Sequence, residues 1–120
     1  MVVILREKKK SKYHNKKVVL DGIKFDSGKE ADRYDELLMK GKAGLISNLK
    51  VKPIFRIMIK DEFLCNYEAD FSYTDLEIEN RVVEDTKGKD PKTGWDTRTP
   101  VYNLKKKLMR IVFGIDVKEV

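Results

Sequence analysis

Residues 81–88 read "RVVEDTKG", and whether they form a strand that leaves a core and ends in a charged site decides the fold. Val82 and Val83 are apolar and β-prone. Glu84, Asp85 and Lys87 then place three ionisable groups in four positions, and Gly88 stops the run. Unpaired buried charge costs several kcal/mol, roughly, unless something compensates it. Strand side chains alternate between faces, so Val83, Asp85 and Lys87 share one face and Val82, Glu84 and Thr86 share the other. The Cβ atoms of Asp85 and Lys87 then stand roughly 7 Å apart.

The preceding segment supplies the neighbour. Along residues 65–73, Cys65, Tyr67, Ala69, Phe71 and Tyr73 fall on one strand face, and Asn66, Glu68, Asp70 and Ser72 on the other. If an antiparallel connection is centred near Glu77 and Ile78, Asp70 comes opposite Asp85, roughly 4.5–5.5 Å away at Cβ. A tighter turn near Glu79-Asn80 breaks that register. Opposed carboxylates repel, but a divalent cation changes the sign. Mg²⁺ takes oxygen ligands near 2.1 Å, typically one or two carboxylates with waters and substrate phosphate. The backbone carbonyl of Thr86 is a further candidate ligand. Lys87 beside such an ion can hold or help deprotonate a water and offset charge on a phosphoryl transition state. The plainer alternative is a surface Asp–Lys pair on an exposed strand end, worth about 0–1 kcal/mol.

Working outward, "VVLDGIKF" (18–25) predicts a hairpin, because Asp21-Gly22 suits a type I′ turn. Ser27 stands three before Glu30, the spacing of a capping box, and a helix is expected from about Gly28 to Lys40. Ala31, Tyr34, Leu37 and Leu38 give it one apolar face, and Gly41 and Gly44 end it. Pro53 places its segment at an edge or a strand entry. Phe55, Ile57 and Ile59 alternate with Arg56, Met58 and Lys60, and Asp61-Glu62 marks a turn. "TDLEIEN" (74–80) is a polar connection into which the strand can continue through Leu76 and Ile78. "KDPKTGWDTR" (89–98) reads as a loop. Thr99, Pro100 and Gly114 punctuate a second helix, with Val101, Leu104, Leu108, Ile111 and Val112 as its expected inner stripe. "IDVKEV" reads as a closing strand. The order predicts an α/β fold, a central mixed sheet flanked by helices.

The 120 residues suit one domain at 18–120 behind a basic arm at 1–17. Residues 6–17 hold seven Lys or Arg and one Glu. Charged residues make up 38% of the chain and the net charge is +6, with a pI near 9.3. That balance fits a polyanionic partner. Cys65 is alone, so no internal disulfide forms. No apolar run approaches the roughly 20 residues of a membrane span, and the start lacks the order of a secretory signal. A cytoplasmic protein without a membrane partner is expected. His14, within the basic run, reads as a surface residue.

The ordered phrases "DGIKFDSGKEADRY", "GLISNLKVKPIF", "YEADFSY", "VVEDTKG" and "VYNLKKKLM" resemble the PD-(D/E)xK nuclease superfamily. More narrowly, they resemble its small phage-encoded members, relatives of archaeal-type Holliday junction resolvases. The resemblance spans about residues 13–120. It implies a restriction-endonuclease-like core and hydrolysis of DNA phosphodiesters with Mg²⁺, for which Mn²⁺ substitutes. Asp70 then matches the first metal-binding Asp, Asp85 the second acidic ligand and Lys87 the catalytic Lys. Glu30 matches the helical Glu that completes the acidic site, against its simpler role as capping partner of Ser27. Ala69 stands where the superfamily's named Pro would be. The resemblance further implies a homodimer acting on four-way or other branched DNA. Lys8, Lys9, Lys10, Lys12, Lys16, Lys17, Lys89, Lys105 and Lys106 are the candidate phosphate contacts. Trp95 can stack on a base, join a dimer contact or pin its loop. The alternatives are a nickase or repair-type endonuclease on other DNA structures, and a non-catalytic DNA-binding module with the same fold.

Overall fold

The computed structural model describes residues 17–89 and 93–120. Contacts divide the chain after Ala43. In the first unit, β1 (Val18–Leu20) and β2 (Ile23–Phe25) form an antiparallel hairpin, followed by α1 (Gly28–Lys42). Asp21 and Gly22 both take positive φ, 52° and 76°, as a type I′ turn requires. Ser27 caps α1: the Glu30 N–H donates to Ser27 Oγ at 3.2 Å. Ala31, Tyr34 and Leu37 are its buried apolar face, and Leu38 is half-buried. The Tyr34 ring packs 5.1 Å from Phe25, and its hydroxyl donates to Asp21 at 2.8 Å, which ties the helix to the hairpin turn. Gly41 lies inside the helix, and the cap falls at Ala43.

The second unit carries the mixed sheet. β3 (Ile46–Val51), β6 (Phe71–Asp75), β7 (Asn80–Asp85) and β8 (Lys118–Glu119) lie side by side in the order β3-β6-β7-β8. β6 is antiparallel to both β3 and β7, and β8 runs parallel to β7. A separate hairpin joins β4 (Ile54–Ile59) to β5 (Glu62–Glu68) through Lys60 and Asp61, both at positive φ. The two layers are continuous in the chain. β3 passes into β4 at Lys52-Pro53, and β5 into β6 at Ala69-Asp70. Backbone bonds Lys52 N–H to the Asp70 carbonyl (2.9 Å) and Ala69 N–H to the Pro53 carbonyl (3.0 Å) hold both bends together.

α2 (Pro100–Phe113) packs against β4. Thr99 caps it, Pro100 opens it, and Gly114 closes it at φ 68°, a left-handed position that favours glycine. Its buried face matches the expected stripe only in part: Leu108 and Val112 pack against the core. Val101, Leu104 and Ile111 are exposed, at 60%, 58% and 62%, while Tyr102 and Met109 are buried. Tyr102 and Met109 stand two turns apart on one face. Half-buried Lys105 and Lys106 lie between them in sequence, where their methylene stems can cover apolar surface. Around Tyr102 and Met109 the core gathers Phe55, Ile57, Tyr67, Ala69, Val83 and Val117.

The chain bend also corrects the single face expected for residues 65–73. β5 ends at Glu68 and β6 begins at Phe71, so alternation is broken between them. Tyr67 and Ala69 join the core with Val83, whereas Phe71 and Tyr73 are buried outside that cluster. β6 does not continue through Leu76 and Ile78. Residues 76–79 form the turn, and both apolar side chains are exposed. Among the described residues, no helix is long and apolar enough to cross a membrane.

Candidate functional site

β7 delivers two adjacent carboxylates to opposite environments. Glu84 is fully buried and its Oε2 accepts from the Tyr73 hydroxyl. Asp85 is 2% exposed and its Oδ2 accepts from the Tyr67 hydroxyl. Strand parity accounts for the division: consecutive residues point to opposite faces.

Asp70 reaches the site from the β5–β6 bend. The β6–β7 turn is centred between Glu77 and Ile78, and the ladder runs from Asp75↔Asn80 to Phe71↔Glu84. There it changes. The Asp70 N–H donates to the Glu84 carbonyl at 3.1 Å, so Asp70 and Phe71 both stand against Glu84, two residues to one as in a β-bulge. The Asp70 carboxylate is fixed by Thr86: its Oδ2 accepts from the Thr86 N–H at 2.7 Å and from Thr86 Oγ1 at 2.6 Å. Thr86 thus contributes its N–H and hydroxyl to the acidic centre, contacts that the sequence reading did not assign to it.

The electrostatics show the two carboxyl groups acting on each other. Burial, then the Asp70 charge, push Asp85 up to about 7, against the pull of the Tyr67 hydrogen bond and the Lys87 ammonium. Tyr67 and Tyr102 are themselves raised, first by burial and then by hydrogen bonds to Asp85 and Glu119 respectively. Lys87 lies just past the strand end. Its Nζ sits 5.1 Å from the Tyr102 ring centroid, and that ring is 6.5 Å from Tyr67. The ammonium is therefore held over an aromatic face next to the carboxylate pair.

Tyr67, Tyr102 and Glu119 escaped the sequence reading as site residues. Glu119 pairs with Asp85 across the parallel β7–β8 ladder, accepts from the Tyr102 hydroxyl at 2.9 Å, and faces Lys106 Nζ at 3.3 Å and Arg98 at 3.7 Å. Burial opposes ionisation of Glu119, but these partners hold it below the usual carboxylate range. A lone Glu in a six-residue tail gives no signal of this; only the parallel register does.

The remaining sequence-derived residues fall as follows. Glu30 is in the first turn of α1, within the first unit, and its Oε2 accepts from Ser27 Oγ at 3.2 Å. Lys17 is exposed just before β1. Lys89 is exposed and its backbone bridges to Asp96, where Arg98 forms a two-pronged pair at 2.9 Å with each oxygen. Trp95, on the same loop, is exposed. Lys105 is half-buried on α2, and Lys106 is engaged by Glu119. Lys8, Lys9, Lys10, Lys12, His14 and Lys16 lie outside the described residues.

Among the described residues, no three His, Cys, Asp or Glu side chains converge as a ready-made cation cage. Mg²⁺ does not require one, since it usually takes one or two carboxylates and keeps several waters. Asp70 and Asp85 meet that narrower requirement. Each is oriented through one Oδ2 by a neutral donor, and their mutual repulsion is what a cation would relieve.

The chain belongs to the family described as "Protein of unknown function (DUF1064)", which matches residues 10–119. No curated protein and no solved structure matches it.

Proposed function

We propose that the protein is a metal-dependent DNA endonuclease of PD-(D/E)xK type, with branched DNA, and a four-way junction above all, as its substrate. The observation that carries the reading is the carboxyl pair formed where Asp70 of the β5–β6 bend meets Asp85 at the end of β7, each held by neutral donors, with Lys87 close enough to pull on Asp85. A like-charge pair of a buried Asp85 and a half-buried Asp70 is unfavourable by itself and becomes favourable around a hard cation. The mixed α/β architecture and the net charge of +6 are compatible with it.

In this reading Mg²⁺, when bound, polarises the scissile phosphate and lowers the pKa of water. The protein supplies the rest. Thr86 holds Asp70, Tyr67 holds Asp85, and the Tyr102 ring holds the Lys87 ammonium. Lys87 orients the attacking water and offsets charge as it builds on the phosphoryl oxygens. The protein acts as a homodimer in this reading, because a four-way junction needs two coordinated nicks.

The test is a labelled four-way junction incubated with Mg²⁺ or Mn²⁺. Paired nicks are expected from the wild type and none from Asp70→Asn or Lys87→Ala. Linear duplex, flap and mismatch substrates run in parallel separate junction resolution from nickase or repair activity. No cleavage of any of these DNAs with either metal would refute the proposal.

A further inference from the structure

A shallow depression lies farther along the sheet that carries Asp85. Asn48, Lys50, Ser72, Tyr73, Thr74 and Arg81 line it. The ladder registers explain the convergence. Ser72 pairs with both Lys50 and Val83, and Thr74 pairs with Arg81. Directly paired residues point to the same side of a sheet, and along β7 Arg81, Val83 and Asp85 alternate onto one face. Lys50, Ser72, Thr74, Arg81 and Asp85 therefore share a face. The bulge between Ser47 and Lys50, with Asn48 at φ 56°, adds an amide at the rim.

The chemistry of the lining is one-sided. Two cations, the Ser72 and Thr74 hydroxyls and an amide meet there, the Tyr73 hydroxyl being taken by Glu84, and no carboxylate lines the depression among the described residues. Arg81 is held in place with its guanidinium carbon 4.9 Å from the Phe55 ring centroid. Lys50 is exposed. A planar, anchored guanidinium with an exposed ammonium and hydroxyl donors suits a phosphate group.

We propose that this depression seats a backbone phosphate of the DNA whose scissile bond lies at Asp70 and Asp85. The inference rests on the nuclease reading and adds a subsite to it. Val83, between Arg81 and Asp85 on β7, is fully buried in the core, so the subsite lies beyond the covered part of that face and takes a phosphate away from the cut. The subsite would fix the position of the DNA without reading sequence, because phosphate contacts position and carry no base information.

The experiment measures binding of a fluorescent four-way junction and a matched duplex over a salt series, with Ca²⁺ replacing Mg²⁺ so that no cleavage intervenes. The variants are Lys50→Gln and Arg81→Gln. Because Arg81 packs on Phe55, thermal melts check its folding, and Lys50→Glu, at an exposed position, serves as the second charge variant. Each lost phosphate contact should lower the slope of log K against log salt by about 0.9. Mg²⁺-driven cleavage should show a raised KM with kcat retained, and the stabilisation by Mn²⁺ should not change. Unchanged slopes in Lys50→Gln, Lys50→Glu and a folded Arg81→Gln, from a wild type that binds and nicks the junction, overturn the subsite and leave the nuclease reading standing. A wild type with no salt-dependent affinity for either DNA overturns both.

Discussion

Replacing Asp85 with Asn tests the carboxylate pair without any assumption about substrate. Asp85 is raised from 3.8 to about 7 in the folded protein, by burial first and by the Asp70 charge second. A carboxyl whose folded value is raised keeps its proton longer in the native state than in the unfolded chain. Between about pH 4 and pH 7 the native state therefore binds more protons, and stability falls as pH rises through that window. Below it both states are protonated and the effect vanishes. The full shift corresponds to about 4 kcal/mol at 1.36 kcal/mol per unit, most of which develops between about pH 4 and pH 7. Solvent screening and the sharing of one proton with Asp70 reduce this to on the order of 2 kcal/mol over that interval. Asn cannot ionise, so Asp85→Asn should gain about that much relative to wild type between the two pH values. For a domain this size the gain is roughly 8 °C of melting temperature. Melts of both proteins across the range, without divalent metal, measure the difference. Parallel curves, with no widening gap above about pH 5, would show that Asp85 ionises as an ordinary carboxylate, and the argument for a frustrated pair would fail.

Three further outcomes follow from the same geometry. Cation binding requires Asp85 to lose its proton, so Mn²⁺ should raise the melting temperature more strongly as pH approaches about 7 and level off above it, with no gain in Asp70→Asn. Tyr67→Phe removes a donor that pulls Asp85 down; it should destabilise the fold by about 1–3 kcal/mol and move the rising limb of the pH–cleavage profile upward. Gly114→Ala forces a Cβ onto a left-handed helix cap at φ 68° and should cost about 1 kcal/mol in chemical denaturation while leaving the Mn²⁺ response intact.

Local signals were the legible ones. Asp21-Gly22, Ser27 with Glu30, and Thr99-Pro100 with Gly114 each act within a turn of chain, and the turns and caps form where those residues stand. The connection centred on Glu77 and Ile78 is one of the two registers the strand pattern leaves open. The buried face of α2 was legible only in part, through Leu108 and Val112. Val101, Leu104 and Ile111 have helical spacing as good as that of Tyr102 and Met109, and the choice depends on which face meets the β4–β5 hairpin. A hydrophobic stripe states that a face can be buried, and tertiary packing decides which one is. Glu119 and the pairing of Lys50 with Ser72 were hidden for a related reason: each depends on a register between distant segments.

The bend at Lys52-Pro53 and Ala69-Asp70 is where fold and candidate chemistry meet. Tyr67 and Tyr73 are six apart, so an unbroken strand would point both to one side. Glu84 and Asp85 are adjacent, so they must point to opposite sides. One straight strand could not offer a tyrosine hydroxyl to each. With alternation interrupted at Ala69 and Asp70, Tyr67 reaches Asp85 and Tyr73 reaches Glu84. The same interruption frees Asp70 from the ladder position opposite Asp85 and lets Thr86 take its carboxylate. Proline at position 53 suits this break, since it lacks an N–H and only its carbonyl is needed to receive Ala69. The stretch "RVVEDTKG" can thus end in buried charge because its neighbouring strand is broken at the right place. Both carboxylates of β7 are provided with neutral donors, and the electrostatic tension that remains lies between Asp70 and Asp85, where a cation would relieve it.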